Sequence, residues 1–422
     1  MVNRMKKLFC ILIAVIVLLP GALLPARAAA RSPEALYEAA AGIIAYKKAA
    51  ADIAPEAPLF SGAFLKGAGS TAGDWYPVGM AAFGMPDDYA AYLSALRADV
   101  RARYETPEKL SAGKATEWHR IALAAMACGA DPVKFCVTAE GDPVDLLADG
   151  VFLRKNVGRQ GLNGYIWALT ALNAGGFQAP ANAVNTRESL LAELVSRQLP
   201  SGGWALAGTE DDTDVTAMAL FALAPLTAAD TAAAAAAERA VSLLSARQQA
   251  DGGYSLRGLA NCESCAVVIT ALCSLGIDPE TDARFLKNGK SAVDALLSYR
   301  LPDGSFTHAY EKDPENDAAV PSEANDMSCQ QALYALGALY RLRTGGPGPF
   351  DFTHAALSSE GWDSVPAAPG AAEQTAENVR RGLNAFFGDA AKRKAAVTAV
   401  LAGVILLSAA ALIVRRKKRK RV

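Results

Sequence analysis

Apolar residues along this chain gather in runs with i, i+3, i+4 spacing, the period of a helix rather than a strand. The runs are Trp75–Phe83, Trp118–Cys128, Gly164–Asn173, Val215–Leu223, Cys265–Leu275 and Cys329–Leu339. They are apolar nearly all round, which predicts helices buried on every side. Between them lie segments with charges on one face only: Pro33–Ala50, Asp88–Tyr104, Glu188–Arg197, Thr231–Gln249 and Asp282–Arg300. These predict outer helices with one wet face. Asp131–Leu153 is the weakest unit, and a short outer helix is expected near Asp142–Leu153. No stretch alternates with period 2 in a way that demands a sheet. The pattern predicts an all-α protein in which inner and outer helices alternate.

Each inner run is headed by an acid or amide: Asp74, Glu117, Asn163, Asp214 and Glu263, with a degenerate sixth copy at Asp326-Met327. The intervals are 43, 46, 51, 49 and 63 residues. Such a period marks stacked supersecondary units. If the array closes, the inner helices start at one rim and their first polar residues surround one opening. The last interval is stretched by a polar loop, Ala309–Ala324, with Pro314 and Pro321.

The two ends change the picture. Arg4, Lys6 and Lys7 precede the apolar run Leu8–Leu19, and Ala26-Arg27-Ala28 offers an A-x-A cleavage site, so residues 1–28 read as a signal peptide. Ala395–Val414 is twenty residues without a charge, long enough to span a bilayer, and seven consecutive bases follow it at Arg415–Arg421. The basic tail 415–422 is expected on the cytoplasmic side and the body outside. The expected order is signal peptide 1–28, helical domain 29–343, linker 344–394, membrane helix 395–414 and tail. The formal net charge is −1, yet without the basic residues of the two ends acids outnumber bases by twelve. An acidic body argues against nucleic acid and against anionic headgroups as partners. Six cysteines follow the leader; most sit in apolar helical runs, as small core residues do. Cys262 and Cys265 are the best disulfide candidate.

The connections carry a signature. Gln198-Leu199-Pro200-Ser201-Gly202-Gly203-Trp204, Gln248-Gln249-Ala250-Asp251-Gly252-Gly253-Tyr254 and Leu301-Pro302-Asp303-Gly304-Ser305-Phe306 are three copies of one turn. These glutamine, Gly-Gly and aromatic turns resemble the QW repeats of squalene cyclases and protein prenyltransferase β-subunits. The resemblance is good over residues 197–340, and the inner-helix pattern alone extends it back to about residue 74. It implies an α/α toroid of about six helical hairpins around a central cavity. Fold does not give function, because function resides in the site.

Asp211-Asp212-Thr213-Asp214-Val215-Thr216-Ala217 is the most enzyme-like motif. It looks like the DxDDTA box of class II terpene cyclases, whose middle acid protonates an alkene or epoxide. Asp212 and Asp214 match the first two acids; Val215 replaces the last. A carboxylate at a helix N-terminus is favoured as the anion, so Asp214 is expected to have a lowered pKa unless desolvation wins. The plainer reading makes it an N-cap or first-turn acid. No zinc set of the prenyltransferase kind is visible, since only His119, His308 and His354 are present and C-x-x-C at 262–265 lacks a second pair. Glu117-Trp118-His119 parallels Asp74-Trp75-Tyr76, which places two indoles near one rim, and Tyr165 is a further candidate. Packing of large aromatics explains the same residues.

The expectation is therefore a surface-exposed, membrane-anchored toroid that binds a small apolar or amphipathic ligand. Its contacts are expected from Asp74, Trp75, Glu117, Trp118, His119, Asn163, Tyr165, Asp214 and Glu263, and no cofactor or metal is required. Exported single toroids resemble the helical domain of cobalamin carriers, which makes a corrinoid one candidate and an isoprenoid another. The alternatives are a terpene cyclase-like enzyme using Asp214, with Asp212, as acid, and a scaffold for a surface or transport partner protein.

Overall fold

The computed structural model describes residues 30–364. The signal peptide, membrane helix and basic tail expected from the sequence lie outside them. Among the described residues no helix is long and apolar enough to cross a membrane.

Eleven α-helices are found among the described residues: α1 Pro33–Ala50, α2 Thr71–Phe83, α3 Tyr89–Tyr104, α4 Thr116–Ala127, α5 Leu162–Ala174, α6 Arg187–Ser196, α7 Thr213–Leu223, α8 Thr231–Arg247, α9 Cys262–Ser274, α10 Ala292–Ser298 and α11 Asp326–Thr344. The inner helices α2, α4, α5, α7, α9 and α11 contact one another in that order, and α11 returns to α2. The ring is closed. Outer helices α3, α6, α8 and α10 pack on α4, α5, α7 and α9 respectively, while α1 covers α11. This is an α/α toroid of six units.

The unit predicted to be weakest departs most from a hairpin. In place of a helix at 142–153 stands a π-helical turn, Ala148–Phe152, packed on α4. The segment expected as one helix over 282–300 is also broken. Asn288 (φ 51°) and Gly289 (φ 76°) reverse the chain and leave only α10 and a 3-10 turn at Ala283–Phe285. Two hairpins of two-residue strands complete the elements: β1 Cys136–Val137 with β2 Pro143–Val144, and β3 Ser255–Leu256 with β4 Leu259–Ala260.

Side chains at the helix starts explain why these elements begin where they do. Asp212, Asn261 and Asn325 accept hydrogen bonds from backbone N–H groups in the first turns of α7, α9 and α11, satisfying donors that have no partner within the helix. The turn glutamines link neighbouring units. Gln248 donates to the carbonyls of Gly252 and Phe285, both at 2.9 Å. Gln198 donates to those of Gly202 and Ala236, the latter in α8. Gly252 adopts φ 88°, and a Cβ there would sit 2.3 Å from the Ser291 carbonyl oxygen, so both conformation and space require glycine. The aromatic of each turn is buried, and Trp204 Nε1–H donates to the Leu194 carbonyl at 2.7 Å.

The ring closes through a seam of small residues. A Cβ on Gly337 of α11 would lie 2.6 Å from that of Ala82 in α2, so a larger residue would force the seam apart. Ion pairs tie α11 to its other neighbours: Lys47 of α1 meets Asp326 at 2.5 Å, and Arg343 pairs with Asp278 and Glu280 beyond α9.

Residues 345–364 were expected to begin a linker. They instead form a strap across the C-terminal ends of the inner helices and belong to the same compact unit. Phe352 N–H donates to the Ala174 carbonyl at the end of α5, and Ser358 bridges to Ala130 beyond α4. Arg341 ties the carbonyls of Ala81 and Ala82 to that of Gly348. Apolar anchoring by Phe350 and Phe352, each 6% exposed, is what a polar linker would lack.

Candidate functional site

The strap decides the shape of the centre. Phe350 enters the bore and meets Trp75, Trp167, Phe221 and Tyr334, with ring centroids 5.2–6.5 Å away. Trp75 and Trp167 touch each other at 5.0 Å. The bore is thus a blind cup with an aromatic floor, open toward the helix starts. Its cavity is about 440 Å³, lined by the starts of α2, α5, α7, α9 and α11. A second recess of about 240 Å³ shares Asp214, Met327 and Gln331 with it. That recess extends toward the β3–β4 hairpin and the loop 309–324.

Asp214 stands where the two volumes meet. It is the second residue of α7. Asp212, two positions earlier, is the cap and accepts from Val215 N–H at 2.9 Å, while Asp211 pairs with Arg247 and Ser201. The three acids of the motif therefore do three different things, and only Asp214 faces the cavity. Its Oδ1 is shut off from solvent and has no partner in hydrogen-bond geometry; the Ser264 hydroxyl, also buried and unpartnered, lies beside the carboxyl. Burial pushes its pKa up to about 7; nearby Asp212 and Glu263 push the same way, and Ser264 and His308 oppose them. The helix N-terminus favours the anion, but here desolvation wins.

Glu263, the second residue of α9, lies at the mouth. Its two oxygens are engaged by Ser328 Oγ at 2.6 Å and His308 Nδ1 at 2.7 Å. The other imidazole nitrogen lies 3.3 Å from Asp313 without hydrogen-bond geometry. The hydrogen bond to Glu263 raises the His308 pKa against partial burial. Asn163, the second residue of α5, also lines the cup, and its Oδ1 is buried without a partner.

Of the residues the sequence nominated, Trp75, Asn163, Asp214 and Glu263 come together here. Five turn elsewhere. Asp74 is completely buried on the far side of α2 and accepts from Arg120 Nε, Tyr92 OH and Gly69 N–H at 2.7–2.9 Å. Glu117 completes that cluster by pairing with Arg120 and Arg103. Trp118 donates to Tyr104 OH at 2.8 Å and carries Arg154 over its ring, beside an outer groove rather than the cup. His119 contacts the Gly150 carbonyl at 3.0 Å, and burial pushes its pKa down to about 4, so it is a neutral core residue. Tyr165 lies under Arg197 on the outside of α5. None of the residues lining the cup comes from α4. The expected Cys262–Cys265 bridge is not formed. Both thiols are buried and free, with Cys262 Sγ directed at the Ser328 carbonyl.

Sequence reasoning missed Met218, Val267, Gln330 and Tyr334 at the cup, Phe350 packed beneath its rings, and the whole His308–Asp313 side of the mouth. The first three were accessible, because they follow Asp214, Glu263 and Asp326 by four positions and share their helix face.

Among α/α toroids, then, this chain is one with a single blind cup. No protein-family model matches the sequence, and no curated protein matches it. Solved toroid structures do. An ent-copalyl diphosphate synthase from Streptomyces platensis is similar over 67% of this chain and 50% of its own length, at 20% identity and a TM-score of 0.41. The chain thus spans half of that enzyme. The type II terpene cyclase MstE from Scytonema is similar over 72% of this chain and 98% of its own, at 14% identity and a TM-score of 0.44. A variant of MstE in complex with geranylgeranyl dihydroxybenzoate gives 73%, 97%, 15% and 0.42.

Proposed function

We propose that the protein binds a slim apolar or amphipathic molecule of isoprenoid type, its chain on the aromatic floor and its polar end at Asp214. The observation that carries this is the cup itself: rings of Trp75, Trp167, Tyr334 and Phe350 below, an unpartnered buried carboxyl oxygen at the lip. An apolar pocket with a few convergent polar groups is what small-molecule recognition needs. Its size, about 440 Å³, lies toward the lower end of such pockets, roughly 300–1,000 Å³, and favours a narrow chain over a broad corrin ring. The apolar run 395–414 and its basic flank support a membrane-anchored body exposed outside the cell. Native mass spectrometry of the protein from its own host tests the binding. Wild type should retain a small apolar mass, and Met218→Trp, which fills the cup, should lose it. An empty cavity in both would sink the proposal.

One observation favours a second reading, an enzyme. With its pKa near 7, Asp214 is partly protonated at neutral pH, and it shares a cavity with ring faces that stabilise cations. Proton transfer from its carboxyl to a C=C bond would leave a carbocation over those rings and the carboxylate at Asp214. Loss of a proton from a neighbouring carbon would restore the acid and leave an isomer of the starting polyene. Val215, where the motif's last acid would stand, removes a group that could sharpen such an acid. Isomers formed from an acyclic polyene alcohol by wild type, and not by Asp214→Asn, would put this reading first.

A further inference from the structure

Charge around the opening says what kind of head the bound molecule carries, given that the cup is a binding site as proposed above. Asp214, Glu263, Asp313, Glu315 and Asp326 line the two connected volumes. The cations there are already engaged: Arg257 by Glu315, His308 by Glu263 and Asp313, and Lys47 by Asp326. A phosphate or carboxylate brought to this mouth would meet excess negative charge and no free cation among the described residues.

The unsatisfied oxygens agree; the third unpartnered atom at the mouth, His308 Nε2, faces Asp313 at 3.3 Å. Asp214 Oδ1 and Asn163 Oδ1 are both shut from solvent, both lack a hydrogen-bond partner, and both belong to residues lining the cup. Both are acceptors. A buried acceptor left unpaired costs free energy, so the site is completed by something that brings N–H or O–H groups. The aromatic walls add attraction for positive charge, since ring faces are electronegative.

We propose that the cup is selective for a chain with a hydrogen-bond-donating, non-anionic head, with a protonated primary amine the best match and a hydroxyl the next. The repelled classes are chains ending in carboxylate or diphosphate. This differs from a general affinity for apolar molecules, because the tail can be kept constant while only the head changes.

The test is calorimetric titration of the full-length chain at pH 7.5 with four molecules sharing one tail: farnesylamine, farnesol, farnesoic acid and farnesyl diphosphate, each below its aggregation threshold. The expected order is amine, then alcohol, with the acid and the diphosphate at least about tenfold weaker than the alcohol, a difference of roughly 1.4 kcal/mol. Met218→Trp should abolish amine binding. Ala72→Trp, at the exposed lip of the cup, serves the same purpose if the first variant folds poorly. Equal or tighter binding of the acid or the diphosphate overturns this inference while leaving a binding cup in place. Amine binding that persists in both tryptophan variants also overturns it, because the attraction would then belong to the acidic surface. If none of the four binds, the binding reading falls together with it.

Discussion

Asp74 and Asp214 occupy similar places in the sequence pattern, each an acid in the first turn of an inner helix, and the molecule uses them in opposite ways. Asp74 is wholly buried and given everything a carboxylate needs: Arg120, the Tyr92 hydroxyl and the Gly69 N–H. Burial pushes its pKa up, and those three partners pull it back. Asp214 is half-buried at the cup, with one oxygen lacking a partner in hydrogen-bond geometry and its pKa pushed up to about 7. A buried charge with a full set of partners is structural; one left incomplete is where a ligand or a proton can act. Position in the repeat does not separate the two cases. The donors supplied by neighbouring elements do.

Removing Arg120 attacks that distinction hardest. Arg120→Met would strand Asp74 in the interior, leave Glu117 with Arg103 alone and strip a donor from the Gly69 carbonyl. Breaking a buried pair from one side costs about 3–5 kcal/mol. Denaturant unfolding should show a loss of that size, and the double variant with Asp74→Leu should recover part of it. A loss below about 1 kcal/mol would mean that Asp74 does not depend on its partners.

Asp214→Asn should act with the opposite sign, and only above a certain pH. The folded-state pKa, about 7, lies above the unfolded value near 3.8. The folded protein therefore binds the proton more tightly, and this stabilising contribution is complete below about pH 4. It is lost as pH rises through about 7, where the anion must be held in the cup. Asparagine never pays that cost. The variant should match wild type only near pH 4 and below, and its advantage should grow by on the order of 2 kcal/mol between pH 5 and pH 8.5, read as a widening gap in melting temperature. Equal stability at both values would show that Asp214 ionises freely.

The fold was largely legible because burial dictates period: helices wet on one face and helices wet on none are different strings. Helix α10 came out too long in the sequence reading although Asn288-Gly289 is a strong turn signal. The site was legible partly through the caps, although α5 starts at Gly161 without one and still brings Asn163 to the cup. Asp212, Asn261 and Asn325 cap α7, α9 and α11 with their side chains, which fixes the phase of the helix and turns Asp214 and Glu263 to the cup. Helices α2 and α4 start without a side-chain cap, at Ser70 and Ala115. There the repeat pattern alone points the acids to the rim, but the α2 residues at the cup are Thr71, Ala72 and Trp75, and Asp74 points away. Phe350 and the His308–Asp313 side arrive through long-range packing, on a strap and a loop that carry no periodic signal.

The smallest expected effect is the cleanest measure of what separates the two acids. Tyr92 OH donates to Asp74 Oδ1 at 2.7 Å, and the same oxygen also receives the Gly69 N–H at 2.9 Å. Tyr92→Phe keeps the ring among Phe60 and Phe64 and removes one donor only. A hydrogen bond to a charged group is worth roughly 1.5–3 kcal/mol, and the remaining donors soften its loss, so a cost of about 1–2 kcal/mol is expected in urea unfolding at pH 7. The loss should shrink at acid pH, where Asp74 is protonated and the hydroxyl donates to a neutral carboxyl rather than a charged one. A cost independent of pH would trace to packing of the phenol rather than to the carboxylate, and the contrast with Asp214 would then rest on Arg120 alone.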